Sequence, residues 1–162
     1  MINRRIVTIG VYGFEAESFF AALQQAQVDL LCDIRQRRGM RGARYAFANS
    51  QRLQARLAEL GIRYLQRKDL APSPAVRQTQ AEADHSQGVA KRERAALDPQ
   101  FIEAYKRLHL DRFSPQAFLD ALPDEVRVVA FLCVERGPEA CHRSLVAASF
   151  AHELGLPVEH IE

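Results

Sequence analysis

The stretch Val126–Ala148, VRVVAFLCVERGPEACHRSLVAA, constrains this chain more than any other. A β-branched apolar run leads into Cys133 and Glu135, a Gly137-Pro138 turn follows, and a helical pattern opens around Cys141, His142 and Arg143. The spacing predicts a strand over Val126–Val134 and a helix over Pro138–Leu154. A strand–loop–helix unit of this kind belongs in a mostly parallel sheet, whose crossover helices cover both faces. Its loop falls at the C-terminal edge of the sheet, where helix N-termini point unpaired N–H groups. Two thiols, a carboxylate, an imidazole and a guanidinium therefore crowd the place where such folds keep their sites.

The rest of the chain repeats the alternation. Arg5–Ile9 reads as a strand, Glu15–Ala26 as a helix with one apolar face, and Val28–Ile34 as a second buried strand. Gln36–Ala48 is a loop. A helix capped at Asn49 or Ser50 carries Leu53, Leu57 and Leu60, and Ile62–Leu65 is a short third strand. Residues 66–97 form a polar excursion without a sustained period, containing at most one short helix. Such a segment reads as an active-site excursion within a single domain spanning 1–162. The charges of Lys91, Arg92, Glu93 and Arg94 read as a solvated helical face. Asp98-Pro99 and Ser114-Pro115 are helix starts, with the cap residue followed by Pro at the first helical position. Gly155 and Pro157 stop the last helix before a short strand over Pro157–Ile161. The expected fold is α/β, one mostly parallel sheet with helices on both faces.

A chain of 162 residues buries roughly two thirds of its unfolded surface without staples. The formal charge of +2 gives no support by itself to a nucleic-acid or membrane partner. The longest apolar run, Val128–Val134, is far short of the ~18 residues of a membrane span. The start, MINRRIVTIG, lacks the apolar region of a signal peptide. Three cysteines, an odd count with two at the ends of core strands, fit a reducing cytoplasm better than a disulfide framework.

Four blocks, in order, resemble one bacterial and archaeal family, domain of unknown function 488. They are Thr8-Ile9-Gly10-Val11-Tyr12-Gly13, Asp33-Ile34-Arg35, Leu70-Ala71-Pro72 with Arg77, and Phe131–Arg136 with Cys141-His142-Arg143. The last is similar to the family's L-C-x-E-x-x-P-x-x-C-H-R signature. Val11 is an insertion in the opening block, and Ala71 stands where the family usually has Gly. The resemblance implies an α/β fold with a site at these motifs; it implies no particular activity or cofactor.

The residue chemistry supports several readings. Cys133, at a strand end beside a helix N-terminus and Arg143, is a candidate nucleophile, because nearby positive charge favours the thiolate. Glu135 is a candidate general acid or base. Arg35, Arg77 and Arg143 come from three segments at one sheet edge, and guanidinium forks bind phosphate or carboxylate groups bidentately. Tyr12, Asp33, Cys141 and His142 complete the expected ligand-binding set. Asp33 and Arg35 are also placed to pair with each other, being two apart on a strand, and Arg143 can pair with Glu139. Cys141 and His142 are expected on one helix, pointing about 100° apart. The leading expectation is a protein that binds, and can act on, a small anionic phosphate-bearing ligand. One alternative is a nucleic-acid-binding module using the arginines of the Arg35–Arg44 loop with Tyr45 and Phe47. Another is a metal protein centred on Cys133, Glu135 and His142.

Overall fold

The computed structural model describes residues 2–88 and 95–162. Strand β1 (Arg5–Ile9) leads through helix α1 (Ala16–Gln25) to β2 (Leu30–Asp33), and α2 (Ser50–Glu59) leads to β3 (Arg63–Gln66). Helices α3 (Pro74–Gln87), α4 (Pro99–Leu108) and α5 (Pro115–Asp120) precede β4 (Val128–Leu132). Helix α6 (Arg143–Leu154) and β5 (Val158–Ile161) complete the chain. The strands form one parallel sheet in the order β3-β2-β4-β1-β5. The residues Lys91–Arg94 lie outside the described residues.

Two apolar clusters explain the layering. On one face, Val7, Ile9, Leu31 and Leu132 pack against Phe19 and Leu23 of α1 and Leu53 and Leu57 of α2. On the other, Ile6, Cys32, Val129 and Phe131 pack against Phe101 and Tyr105 of α4, Phe118 of α5 and Phe150 of α6. The alternation of side chains along each strand sends neighbours to opposite layers, so both faces are buried and the strands are apolar throughout.

This layering creates a crevice. The chain leaves β1 and β2 toward the α1/α2 layer but leaves β4, which lies between them, toward α6 in the opposite layer. Loops that part to opposite sides of a sheet leave a cleft at the strand ends, the usual position of ligands in open α/β sheets. Cys133 is the first residue beyond β4.

The polar excursion holds more helix than its pattern suggests. Helix α3 runs 14 residues, with the Ser73 hydroxyl accepting from Val76 N–H, Pro74 in the first turn and Gly88 closing it at φ 66°. It buries only Val76 and Gln80. Sparse burial is why no apolar period shows in the sequence. The last helix also differs. Pro138–Ala140 is a single 3₁₀ turn, Cys141 is extended at φ −139° and ψ 144°, and α6 starts only at Arg143. Ala71 is likewise extended, at φ −77° and ψ 134°, a conformation that needs no glycine.

The aromatic cluster of Phe118, Phe131 and Phe150, with ring centroids 5.4–5.7 Å apart, joins β4 to α5 and α6. Phe150 is fully buried. Phe150→Ala is expected to destabilise the protein by about 3–5 kcal/mol, read as a lower midpoint in urea denaturation with an unchanged slope.

Candidate functional site

The loop after β4 is held from below. Cys133 N–H donates to the Ile9 carbonyl at 3.2 Å, and Val11 and Tyr12 N–H both donate to the Val134 carbonyl at 3.0 and 2.9 Å. The Arg143 side chain, with no exposed surface, turns back under the loop. Its Nη1 donates to the Glu135 carbonyl at 2.6 Å and its Nη2 to the Arg136 carbonyl at 3.0 Å. Gly10 makes room for this: a Cβ there would collide with the Glu135 carbonyl oxygen and Arg143 Nη1. Burial pushes the Arg143 guanidinium down to about 10, with the Glu135 carboxylate acting against that shift, so it stays charged at neutral pH.

This support aims the signature residues at one point. Because Cys141 is extended and His142 only caps α6, the two side chains escape the 100° divergence expected of helical neighbours. The sulfurs of Cys133 and Cys141 meet as a disulfide, and the His142 ring lies against both. His142 Nε2 is 2.9 Å from the Ile34 carbonyl. A carbonyl only accepts, so this nitrogen carries the proton. Nδ1 then faces Cys133 Sγ at 3.3 Å and Cys141 Sγ at 3.9 Å. All three residues are buried.

Two expectations change here. Pairing of Cys133 with Cys141 leaves Cys32 as the free cysteine among the described residues, and burial pushes its thiol well above the usual range. The convergent metal-ligating set is Cys133, Cys141 and His142, with ligand atoms within 4.8 Å of one another, instead of Cys133, Glu135 and His142. The Glu135 carboxylate stands beside this set, 3.7 Å from Cys133 Sγ.

The three anticipated clamp arginines have different fates. Arg35 is fully engaged: Nε and Nη2 donate to the two carboxylate oxygens of Asp33 at 2.9 and 2.8 Å, and Nη1 donates to the Ala48 carbonyl at 2.8 Å. Tyr64 O–H adds a 2.6 Å bond to Asp33 Oδ2. The Asp33–Arg35 pair has no exposed side-chain surface, so the alternative of an internal ion pair describes it. Arg143 supports the loop as above, on backbone carbonyls and not on Glu139. Arg77 remains. Its Nε is buried and has no hydrogen-bond partner among the described residues.

Helix α3, which carries Arg77, is held in place at both its start and its middle. Tyr105 O–H donates to the Leu70 carbonyl at 2.6 Å, and Ser73 N–H donates to His109 Nε2 at 3.0 Å. Gln80, three residues beyond Arg77 on α3, accepts from Asp98 N–H at 2.8 Å and so ties α3 to the start of α4. The outcome is a cleft of about 530 Å³. Arg77, Gln80 and Asp84 line its α3 side. Arg37, Met40 and Arg41 line the opposite wall, and Cys133, Cys141 and His142 form its floor. Tyr12 reaches this cleft with its ring 5.2 Å from that of Tyr45.

The Arg35–Arg44 loop divides. Arg38 binds Ser50 Oγ and Tyr64 Oη at 2.9 and 3.3 Å, Arg44 covers the Tyr45 ring, and Arg37 and Arg41 are exposed at the cleft. Tyr45 and Phe47 are buried, and Phe47 packs on Phe19 and Phe20, so neither ring stands out for base stacking. No sequence signal singles out Arg37 and Arg41 among the five arginines of their loop. The supporting roles of Tyr105, His109 and Gln80 carry no local sequence signal.

The model of the family described as domain of unknown function DUF488 matches residues 15–150, and the chain belongs to that family. The matched range takes in Asp33-Ile34-Arg35, Arg77 and the Cys133–Arg143 segment and begins after Thr8–Gly13. No curated protein and no solved structure matches the chain. No helix of the described residues is long and apolar enough to cross a membrane.

Asp33→Asn removes the charge that compensates buried Arg35. Breaking a buried pair from one side costs about 3–5 kcal/mol, so the variant is expected to unfold at markedly lower urea concentration.

Proposed function

We propose that this DUF488 family member binds a small anionic, phosphate-bearing ligand in the cleft at the end of β4, with Arg77 as its anchor. The observation that carries this reading is the Arg77 guanidinium: its Nε is buried without a partner among the described residues, at the wall of a cleft. A buried donor left unsatisfied is costly, and an anion oxygen would satisfy it. Arg37 and Arg41 on the facing wall add positive charge, while Asp84 and Glu135 restrict where that charge is uncompensated. A cleft of about 530 Å³ is of the size of small-molecule sites. That size, and the inward packing of Phe47, favour a small ligand over a nucleic-acid strand.

The groups that would act on such a ligand are at the floor. With the thiols reduced, Cys133 beside His142 Nδ1, itself oriented by the Ile34 carbonyl, has the arrangement of a nucleophile with its base. Glu135 would supply a second proton-transfer group next to the same sulfur.

A thermal-shift series with inorganic phosphate, nucleotides, sugar phosphates and short RNA tests the reading. A bound ligand at ~100 times its dissociation constant adds about 2.7 kcal/mol of stability. Arg77→Met is expected to weaken the responding phosphate compound roughly 10–100-fold, the loss of a charge-assisted contact. No response to any phosphate compound, or a response that Arg77→Met leaves unchanged, would overturn it. Binding of RNA alone, falling steeply with salt, would replace it with the nucleic-acid reading.

A further inference from the structure

We propose that the reduced form of Cys133, Cys141 and His142 is a binding site for one thiophilic divalent metal ion, with an open coordination position facing the cleft. A nucleophile and its base need one thiol. Here two sulfurs and one imidazole nitrogen lie within a single ligand sphere, the three atoms within 4.8 Å of one another. Two thiolates and a neutral imidazole are the donor set that selects zinc-like ions over magnesium or calcium.

The ring orientation points the same way. A metal-bound histidine usually donates its other N–H to a carbonyl or carboxylate, which fixes the tautomer and aims the lone pair. His142 does this through Nε2 and the Ile34 carbonyl at 2.9 Å, aiming Nδ1 at the sulfurs. The backbone leaves room for an ion between the thiolates. The Cα atoms of Cys133 and Cys141 are 6.8 Å apart. Two sulfurs bound tetrahedrally at ~2.3 Å from an ion would themselves lie ~3.8 Å apart. Side-chain rotation within that Cα spacing reaches this geometry.

Three protein ligands leave a tetrahedral ion one position short, the pattern of catalytic rather than structural sites. All three residues line the cleft together with Arg77 and Glu135, so the fourth position is assigned to the cleft side. An anionic group anchored by Arg77 would complete the shell; this one step rests on the anion reading above.

The disulfide and the metal site are two states of the same sulfurs. A phosphine reductant attacks one sulfur and expels the other as a thiolate, which takes up a proton. Water then displaces the phosphine as its oxide and protonates the remaining sulfur. The disulfide thus gains two electrons and two protons, and the phosphine is oxidised. Binding of the ion releases the thiol protons to solvent.

The test titrates Co²⁺, then Zn²⁺, into full-length protein reduced with a phosphine. One Co²⁺ per chain with a thiolate-to-cobalt charge-transfer band, displaced by Zn²⁺, is expected. Zn²⁺ should also protect two thiols of the wild-type chain from alkylation, a readout that needs no variant. Cys141→Ser should abolish the charge-transfer band or weaken Co²⁺ binding at least tenfold, and Cys32→Ser should leave it unchanged. Arg77→Met should leave the cobalt band intact even where it abolishes phosphate binding, so the two proposals fail separately. Reduced wild-type protein without a charge-transfer band, or without zinc protection of its thiols, would overturn the inference.

Discussion

The guanidinium of Arg143 lies beneath the loop after β4 with no exposed surface, donating to the Glu135 and Arg136 carbonyls. Most buried arginines face a carboxylate; this one is spent on backbone oxygens, and its Nε has no partner among the described residues. Bringing it there costs solvation, which is why its proton is held less tightly than usual. In return, the loop is fixed against the end of β1. Gly10, the only residue type without a Cβ, allows Arg143 and the Glu135 carbonyl to approach the first strand. The convergence of Cys133, Cys141 and His142 depends on this contact, since Arg143 directly follows His142 and starts α6.

The second buried guanidinium performs the same kind of task one strand away. Arg35 joins the end of β2 to the Ala48 carbonyl through its bidentate pair with Asp33. It thereby shapes the wall opposite α3. Two arginines of the motifs are therefore scaffolding, and the proposed ligand contact falls to Arg77. That division follows from placement: Arg35 and the terminal nitrogens of Arg143 are engaged internally, and Arg143 does not line the cleft, whereas Arg77 lines it with a buried Nε that has no partner among the described residues.

The strands and their order of appearance were legible because β4, β2 and β1 are apolar runs bounded by Gly, Pro and charge. The place of the candidate site is legible for the same reason, since a strand end followed by Gly137-Pro138 and a helix marks the sheet edge. Helix α3 was not, although Ser73-Pro74 gives the same start signal as Asp98-Pro99 and Ser114-Pro115. Its mostly exposed surface leaves no apolar stripe to read. The meeting of Cys141 with His142 is hidden when the helix is begun at Pro138, five residues before its observed start at Arg143. Pro138 begins a 3₁₀ turn that ends before Cys141, and this break lets adjacent side chains share a centre. The split of the arginines into scaffold and proposed anchor depends on contacts such as Ala48 with Arg35, thirteen residues apart, which no local pattern encodes.

The chemistry proposed for the floor of the cleft depends on the orientation of one ring. Long-range ¹H–¹⁵N correlation of the His142 imidazole, recorded on reduced, metal-free protein near neutral pH, reads its tautomer directly. The expected result is a proton on Nε2, held by the Ile34 carbonyl, and an unprotonated Nδ1 presented to the two sulfurs. A proton on Nδ1 with a bare Nε2 would contradict it, because neither a base for Cys133 nor a metal ligand could then stand at the floor of the cleft.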